Sequence, residues 1–255
     1  MSRVHCVVPD CQVRPGDDVS FLTHLGNYIV AKQPDVLVCL GDFADMPSLS
    51  SYDVGRKSFE GRRYKNDVEA TKEAMKLLLA PIKNYNERQR KNGKKQYKPE
   101  MHLTLGNHEA RINRAVEDDA KLEGVLSIDD LQYESFGWNV YPFLDVCVID
   151  GVAYSHYFTT GLAGRPAGTA SAQLNKKHQS CIAGHQQGFQ VATARRADNK
   201  KITSIIAGSC YTSHHDYLGA QGNHHDRGFI MLYDVEDGEF EHNFITLKFL
   251  EKKYS

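Results

Sequence analysis

The run DVLVCL, residues 35–40, constrains the fold more than any other stretch of the chain. After Asp35 it holds five apolar side chains in succession. Alternate residues of a β-strand point to opposite faces, so a strand apolar on both must be covered on both. That pattern belongs to a parallel sheet lying between two layers. The neighbouring segments agree. Arg3–Pro9 is a second short apolar strand. Between the two, Asp17–Gln33 carries Val19, Leu22, Leu25, Tyr28 and Ile29 at helical spacing behind a Pro-Gly-Asp-Asp start. Strand, helix and strand in this order imply a parallel pair joined by a crossover.

The alternation continues. Residues 46–65 show no period and are expected to form a surface loop with one helical turn. Asn66–Arg90 reads as a long amphipathic helix through Val68, Met75, Leu78, Leu79 and Ile82, with Pro81 a candidate kink. The basic run at 88–98 reads as a solvated loop, Met101–Leu105 as a strand and Glu109–Leu122 as a helix. From Asn139 strands dominate. VYPFLDVCVIDGVAYSHYF reads as two strands turning at Asp150-Gly151. A Gly-rich loop spans 159–169, SCIA (180–183) and ITSIIA (202–207) are apolar strands, and Phe229–Phe249 is a terminal hairpin turning at 236–238. The 255 residues suit one large domain, 1–255.

Composition narrows the partners. Lys plus Arg number 31 and Asp plus Glu 32, so nothing demands a polyanion beyond local basic patches. No apolar run reaches the roughly 18 residues of a membrane span. The start MSRVHCVVPD has no signal-peptide core. The six cysteines (6, 11, 39, 147, 181 and 210) are scattered, with no CxxC pair, and several lie in apolar runs. They read as reduced core residues of a cytoplasmic protein. The 12 histidines, many clustered, are a first hint of metal.

The informative polar residues stand where strands end. PDCQ gives Asp10 and Gln12, and CLGDFAD gives Asp42 and Asp45. TLGNHE gives Asn107, His108 and Glu109, AYSHYF gives His156, and IAGHQQG gives His185 and Gln187. Polar groups at the carboxyl ends of an open α/β sheet collect in one crevice. Glycine precedes Asp42, Asn107 and His185, where the backbone must turn sharply and approach closely.

Any one of these motifs alone is an ordinary turn. In this order they resemble the calcineurin-like metallophosphoesterase superfamily, whose usual signature is DxH, GDxxD, GNH[DE], a lone His and GHxH. The resemblance runs from residue 10 to residue 187. It implies an α/β fold, a four-layer α/β/β/α sandwich of two mixed sheets flanked by helices. It also implies a hydrolase with two divalent metal ions. Carried over, the first metal takes Asp10, Gln12, Asp42 and Gln187. The second takes Asp42, Asn107, His156 and His185, and Asp42 bridges. His108 protonates the leaving group and Asp45 orients its imidazole. Two cations about 3.5–4 Å apart clamp a phosphoryl group and generate hydroxide near neutral pH.

The chain departs from the signature at Gln12 and Gln187, where family members usually carry His. Both changes fall on the first metal, and an amide offers only its carbonyl oxygen. That site becomes all oxygen, which implies Mn²⁺ or Mg²⁺ in preference to Zn²⁺, with Fe or Zn²⁺ open at the second site. The alternative is a weakened first site with a single metal bound.

Other candidates are less defined. Residues 213–228, SHHDYLGAQGNHHDRG, either line the crevice and contact substrate, with His215 the candidate, or form a polar surface loop. Arg165 is a candidate phosphate contact. Arg56, Lys57, Arg62, Arg63 and Lys65, with Tyr52, Phe59 and Tyr64, either grip a phosphate backbone and stack a base or form a solvated face. Glu109 and Arg111 are expected to cap or pair locally, and Trp138 to pack. The protein-phosphatase branch follows GDxxD with Arg-Gly, whereas Met46-Pro47 stand here. The implied activity is therefore a phosphodiesterase on a nucleotide or nucleic acid, ahead of a phosphomonoesterase. The competing class is a catalytically silent binding scaffold, which the intact His108 and Asp45 argue against. Sequences of this look are often carried by bacteriophages, which places the protein in a host cytoplasm, with no obligatory protein partner evident.

Overall fold

The computed structural model describes residues 2–51, 55, 57–161, 163–213 and 225–254. Its centre is a parallel run of strands, β1 (Arg3–Val8), β2 (Val36–Cys39), β3 (Glu100–Thr104) and β4 (Asn139–Tyr141). Helix α1 (Phe21–Lys32) crosses from β1 to β2, and α2 (Tyr64–Lys91) from β2 to β3. The first helix starts at Phe21, later than the Asp17 expected, because Asp18 is spent on a turn: its Oδ1 accepts the Ser20 N–H at 2.9 Å. Helix α2 continues through Pro81. The expected helix 109–122 is broken into α3 (Arg111–Asp118) and a 3₁₀ turn, Ala120–Leu122, capped by Asp119. The 46–65 loop contains two 3₁₀ turns, Pro47–Leu49 and Lys57–Phe59.

The second half builds a second sheet. β5 (Cys147–Ile149) and β6 (Val152–Ser155) pair antiparallel around Asp150-Gly151, both at positive φ as a two-residue hairpin turn requires. The ribbon β7 (Thr159–Thr160) and β8 (Arg165–Pro166) occupies the Gly-rich segment. It leads to α4 (Ala170–Lys177), β9 (Cys181–Ala183), β10 (Phe189–Arg195) and β11 (Lys201–Ala207). The chain then returns to the first sheet with β12 (Gly228–Glu236) and β13 (Glu239–Thr246), joined at Asp237-Gly238. The expected hairpin to Phe249 stops at Thr246. Helix α5 (Leu247–Tyr254) follows because Leu247 and Leu250 are buried on one helical face.

Strand order is β13-β12-β1-β2-β3-β4 in the first sheet and β10-β11-β9-β6-β5 in the second, and each mixes parallel and antiparallel neighbours. Side-chain alternation sets the layers. Cys6, Val8, Leu37 and Cys39 pack against Leu22 and Leu25 of α1, Met75 and Leu78 of α2, and Leu250 of α5. Val7, Val36, Val38 and Leu40 point the other way, onto Val152, Tyr154, Ile182 and Ile205 of the second sheet. Ala153, Cys181 and Ala183 form the outer face of that sheet, where Gln173 of α4 donates to the Cys181 carbonyl. The result is the four-layer α/β/β/α sandwich. Burial on both faces explains why β2 carries no polar side chain. All six cysteines are free and buried, and Trp138 is a packing residue whose Nε1–H meets the Met75 sulfur. Among the described residues no helix is long and apolar enough to cross a membrane.

Candidate metal centre

The turns that follow β1, β2 and β3 are stitched together by backbone and carboxylate. Past the strand ends, the Gln12 N–H donates to the Asp42 carbonyl at 2.8 Å. The Val13 N–H donates to Phe43 at 2.9 Å, and the Asp45 N–H to Val13 at 3.1 Å. Glu109 ties in the third turn. Its buried Oε2 accepts the Asp42 and Gly106 N–H groups at 2.9 Å each, and its Oε1 accepts the Ala44 N–H at 2.9 Å and the Tyr133 hydroxyl at 3.2 Å. Asp42 Oδ1 accepts the His108 N–H at 2.9 Å. From the second sheet, the His185 N–H donates to Asp10 Oδ1 at 3.0 Å.

Two of the glycines are required by this packing. A Cβ on Gly106 would lie 2.1 Å from Asp42 Oδ1, and one on Gly184 would lie 2.4 Å from Asp10 Oδ1. The candidate ligands themselves are strained: φ is 45° at Gln12, 47° at Asp42, 67° at His185 and 59° at Gln187. Left-handed backbone costs a residue with a side chain about 1–2 kcal/mol, and such strain gathers at functional sites.

Lone pairs converge here. Asp42, His156 and His185 each place a potential ligand atom within 4.8 Å of the others. His156 Nδ1 donates to the Leu40 carbonyl at 2.8 Å, and a carbonyl only accepts, so Nδ1 carries a proton and Nε2 faces the centre. There Nε2 stands 3.0 Å from Asn107 Oδ1 and 3.3 Å from Asp42 Oδ2. Asp10 Oδ2, Gln12 Oε1 and Asp42 Oδ2 are buried oxygens without a hydrogen-bond partner. Buried acceptors left unpaired cost stability. Around Asp42, the ligand atoms of His156 and His185 and the nearby Asn107 Oδ1 fit a cation, and the unpaired oxygens of Asp10 and Gln12 are donors of the same hard kind in the adjoining turn.

The electrostatics point the same way. Burial pushes the Asp10 carboxyl up to about 7, helped by the neighbouring Asp42 and opposed by His156. Burial also disfavours the Asp42 anion, but the charges of His108 and His156 outweigh it and hold Asp42 well below the usual carboxylate range. For His156, burial opposes the cation and Asp42 overrides it, raising the imidazole to about 9. Burial lowers His185 to about 4, with His156 adding repulsion, so its lone pair is available.

Next to this cluster, His108 Nδ1 donates to Asp45 Oδ1 at 2.5 Å and lies 3.0 Å from the Asp45 carbonyl. That leaves Nε2 directed at the centre, 3.7 Å from Asp42 Oδ2. The second Asp45 oxygen takes Arg14 Nε. Arg111 Nη1 donates to the Asp45 carbonyl at 2.7 Å, and its Nη2 is 3.3 Å from His108 Nε2. Burial disfavours ionisation of Asp45, yet His108, Arg14 and Arg111 hold it down to about 2. Burial opposes the His108 cation, but the Asp42 charge and then the Asp45 pairing override it and raise the imidazole.

The structure therefore gathers Asp10, Gln12, Asp42, Asn107, His156 and His185, with His108 and Asp45 alongside. Gln187 already has a hydrogen-bond partner. Its Oε1 accepts the buried Tyr211 hydroxyl at 2.5 Å, and that hydroxyl also lies 2.6 Å from His225 Nδ1. Arg165 sits in β8 with its side chain exposed, and no site residue among those described hydrogen-bonds to it. His215 and most of the 213–228 segment lie outside the described residues, as do Tyr52 and Arg56. His225 falls in the 213–228 segment named as a candidate crevice lining, whereas Tyr211 and the clamp formed by Glu109 were not expected. Tyr211 lies just past ITSIIAGSC, so the strand-end rule applied to β11 would have found it.

A model of the calcineurin-like phosphoesterase family matches residues 4–190. The chain is also 28% identical over 210 residues to the Gene 54 protein of Mycobacterium phage L5, an alignment covering 79% of this chain and 76% of that protein.

Proposed function

Because the chain belongs to the calcineurin-like phosphoesterase family and is a metal-dependent phosphoester hydrolase, we propose that its centre holds two divalent ions and cleaves phosphodiesters of nucleotides or nucleic acids. One ion is assigned to Asp10, Gln12, Asp42 and Gln187, the other to Asp42, Asn107, His156 and His185. The observation that carries this assignment is that buried oxygens of Asp10 and Gln12 accept no hydrogen bond while Asp42 Oδ2 faces only the His156 and His108 imidazoles. When bound, such ions offset charge building on the phosphoryl oxygens and acidify the attacking water.

The chain's own groups do the rest. His108 gives a proton from Nε2 to the departing alkoxide. Asp45 fixes its tautomer through Nδ1, and Arg14 and Arg111 hold Asp45 in place. Asp42 anchors both halves through one oxygen and positions the His108 backbone through the other. Glu109 locks the Asp42 and Asn107 turns into one unit.

An all-oxygen first site favours Mn²⁺ or Mg²⁺. Met46-Pro47, in place of the Arg-Gly of protein phosphatases, supports a diester substrate over a phosphoprotein. The phage relative supports a role in a host cytoplasm. We read 1–255 as one domain, since β12 and β13 complete the sheet that β1 begins.

Hydrolysis of bis-p-nitrophenyl phosphate and p-nitrophenyl phosphate, with Mn²⁺ and with chelator, tests the reading. Diester turnover that chelation abolishes is expected. Folded protein inactive with every divalent ion would instead establish a binding scaffold.

A further inference from the structure

Helix α3 leaves the centre directly after the Asn107-His108-Glu109 turn and directs two guanidinium groups back toward it. Arg111 and Arg114 stand three residues apart, on one helical face. Their surroundings differ. Arg111 is committed to the His108 side, where it holds the Asp45 and Met46 carbonyls. Arg114 lies on the Asn107 side. Its Nη2 donates to the Asn107 carbonyl at 2.9 Å, and the side chain is exposed. That is its one hydrogen bond among the described residues, and no carboxylate among them pairs with it. A guanidinium has five N–H donors, so most of those on Arg114 are uncommitted.

Tyr157 stands at the same side of the centre. It follows His156 in the chain and is half-buried. Its ring centroid lies 4.9 Å from that of His185 and 5.8 Å from that of His156, and Phe143 meets it edge-on at 5.6 Å. These neighbours fix the ring, while the hydroxyl makes no hydrogen bond among the described residues. Burial raises the Tyr157 pKa; beneath that effect the Arg114 charge lowers it and the Asp42 charge raises it, so the hydroxyl stands within reach of both. A cation and a hydroxyl donor, each with spare capacity, therefore border Asn107, His156 and His185. Neither is a metal ligand. Donors held in place beside a phosphoryl group stabilise the charge on its oxygens, and a guanidinium fork matches those oxygens in geometry.

We propose that Arg114 and the Tyr157 hydroxyl bind non-bridging oxygens of the scissile phosphate. This rests on the phosphoester-hydrolase reading and adds to it two substrate-binding residues outside the metal-ligand motifs. It applies to a monoester and a diester alike, since both carry such oxygens.

Calorimetry with inorganic phosphate on the Mn²⁺-loaded protein reads this subsite without turnover, and KM for bis-p-nitrophenyl phosphate reads it with turnover. Arg114→Ala is expected to weaken phosphate binding about tenfold, the scale of one hydrogen bond to a charged group, and to raise KM by a similar factor. Arg114→Lys keeps the charge but loses the fork and should recover part of that loss. Tyr157→Phe keeps the ring and its contacts with His185 and Phe143 and removes only the hydroxyl; it should weaken phosphate several-fold. Mn²⁺ affinity, titrated without phosphate, should stay at the wild-type value in all three variants, which separates phosphate binding from support of the Asn107 turn. Phosphate affinity unchanged in Arg114→Ala or in Tyr157→Phe, or Mn²⁺ affinity falling in step with phosphate affinity, would overturn the subsite and leave the hydrolase reading standing. A wild type that binds phosphate through these two residues but hydrolyses no ester with any divalent ion would overturn the hydrolase reading instead.

Discussion

Glu109→Gln exchanges one atom at the point where three turns of the site meet. All four contacts of the Glu109 carboxylate come from donors: the N–H groups of Asp42, Ala44 and Gly106 and the Tyr133 hydroxyl. With no acceptor available for a carboxyl proton, the group is anionic in the fold. A glutamine side chain keeps one acceptor oxygen. Its best placement leaves that oxygen facing the Asp42 and Gly106 N–H groups and turns the NH₂ toward Ala44 and Tyr133. The Tyr133 hydroxyl can rotate and accept, but the buried Ala44 N–H cannot. One unsatisfied buried donor costs about 1–3 kcal/mol, and two charge-assisted bonds weaken by about 1 kcal/mol each on becoming neutral. Relief from burying a charge returns part of this, because burial and the nearby Asp42 already push the Glu109 carboxyl up. The net expectation is a loss of about 2–4 kcal/mol, read as a lower urea midpoint at unchanged slope. Tyr133→Phe, which removes one contact, should cost about 1 kcal/mol. A Glu109→Gln variant within about 0.5 kcal/mol of wild type, or less affected than Tyr133→Phe, would refute the clamp.

His108→Ala should lower kcat for the diester by about 10²–10⁴-fold while elemental analysis finds the wild-type metal content; parallel loss of metal would remove His108 from the proton-donor role. Tyr211→Phe frees the Gln187 carbonyl from its hydroxyl partner and should weaken calorimetric Mn²⁺ affinity at one site by about 10–100-fold, the usual effect of losing a group that orients a ligand; unchanged affinity would mean that Gln187 does not bind metal. His5 is buried between the sheets, donating to Asp150 at 2.8 Å and accepting from Tyr154 at 2.7 Å. Burial lowers its pKa from the ordinary value despite Asp150. The unfolded chain then takes up the proton first, so stability is complete above about pH 6.5 and is lost as pH falls through the lower folded value. His5→Asn should flatten the fall in urea midpoint between pH 7.5 and 5, and an equally steep fall would contradict this.

Much of the sandwich was readable because its strands obey strong local rules. The run at 35–40 could only be a strand covered on both faces, and the two Asp-Gly turns fell where expected. The strand-end polar residues converge for the same reason, since parallel strands direct their carboxyl ends to one edge. What escaped lacked such a signature. Helix α4 buries only Ala170, Gln173 and Leu174. β10 is an edge strand with little buried surface, so it needs no apolar face. Helix α5 continues directly from β13, and ITLKFL satisfies a strand's alternation as well as a helix's. At the site, the motif identified Gln187 as a candidate ligand; the strand-end rule could have flagged Tyr211 after β11, but its pairing with Gln187, 24 residues away, is made only by the fold. Glu109 was expected to pair locally, yet it reaches Asp42, 67 residues earlier.

The central claim is that Asp42 stands between two cations. Anomalous diffraction from crystals grown in Mn²⁺ tests it most directly. Two peaks about 3.5–4 Å apart, both within bonding distance of the Asp42 carboxylate, with Asp10 and Gln12 beside one and His156 and His185 beside the other, are predicted. A single peak, or two peaks that do not share Asp42, would contradict the account.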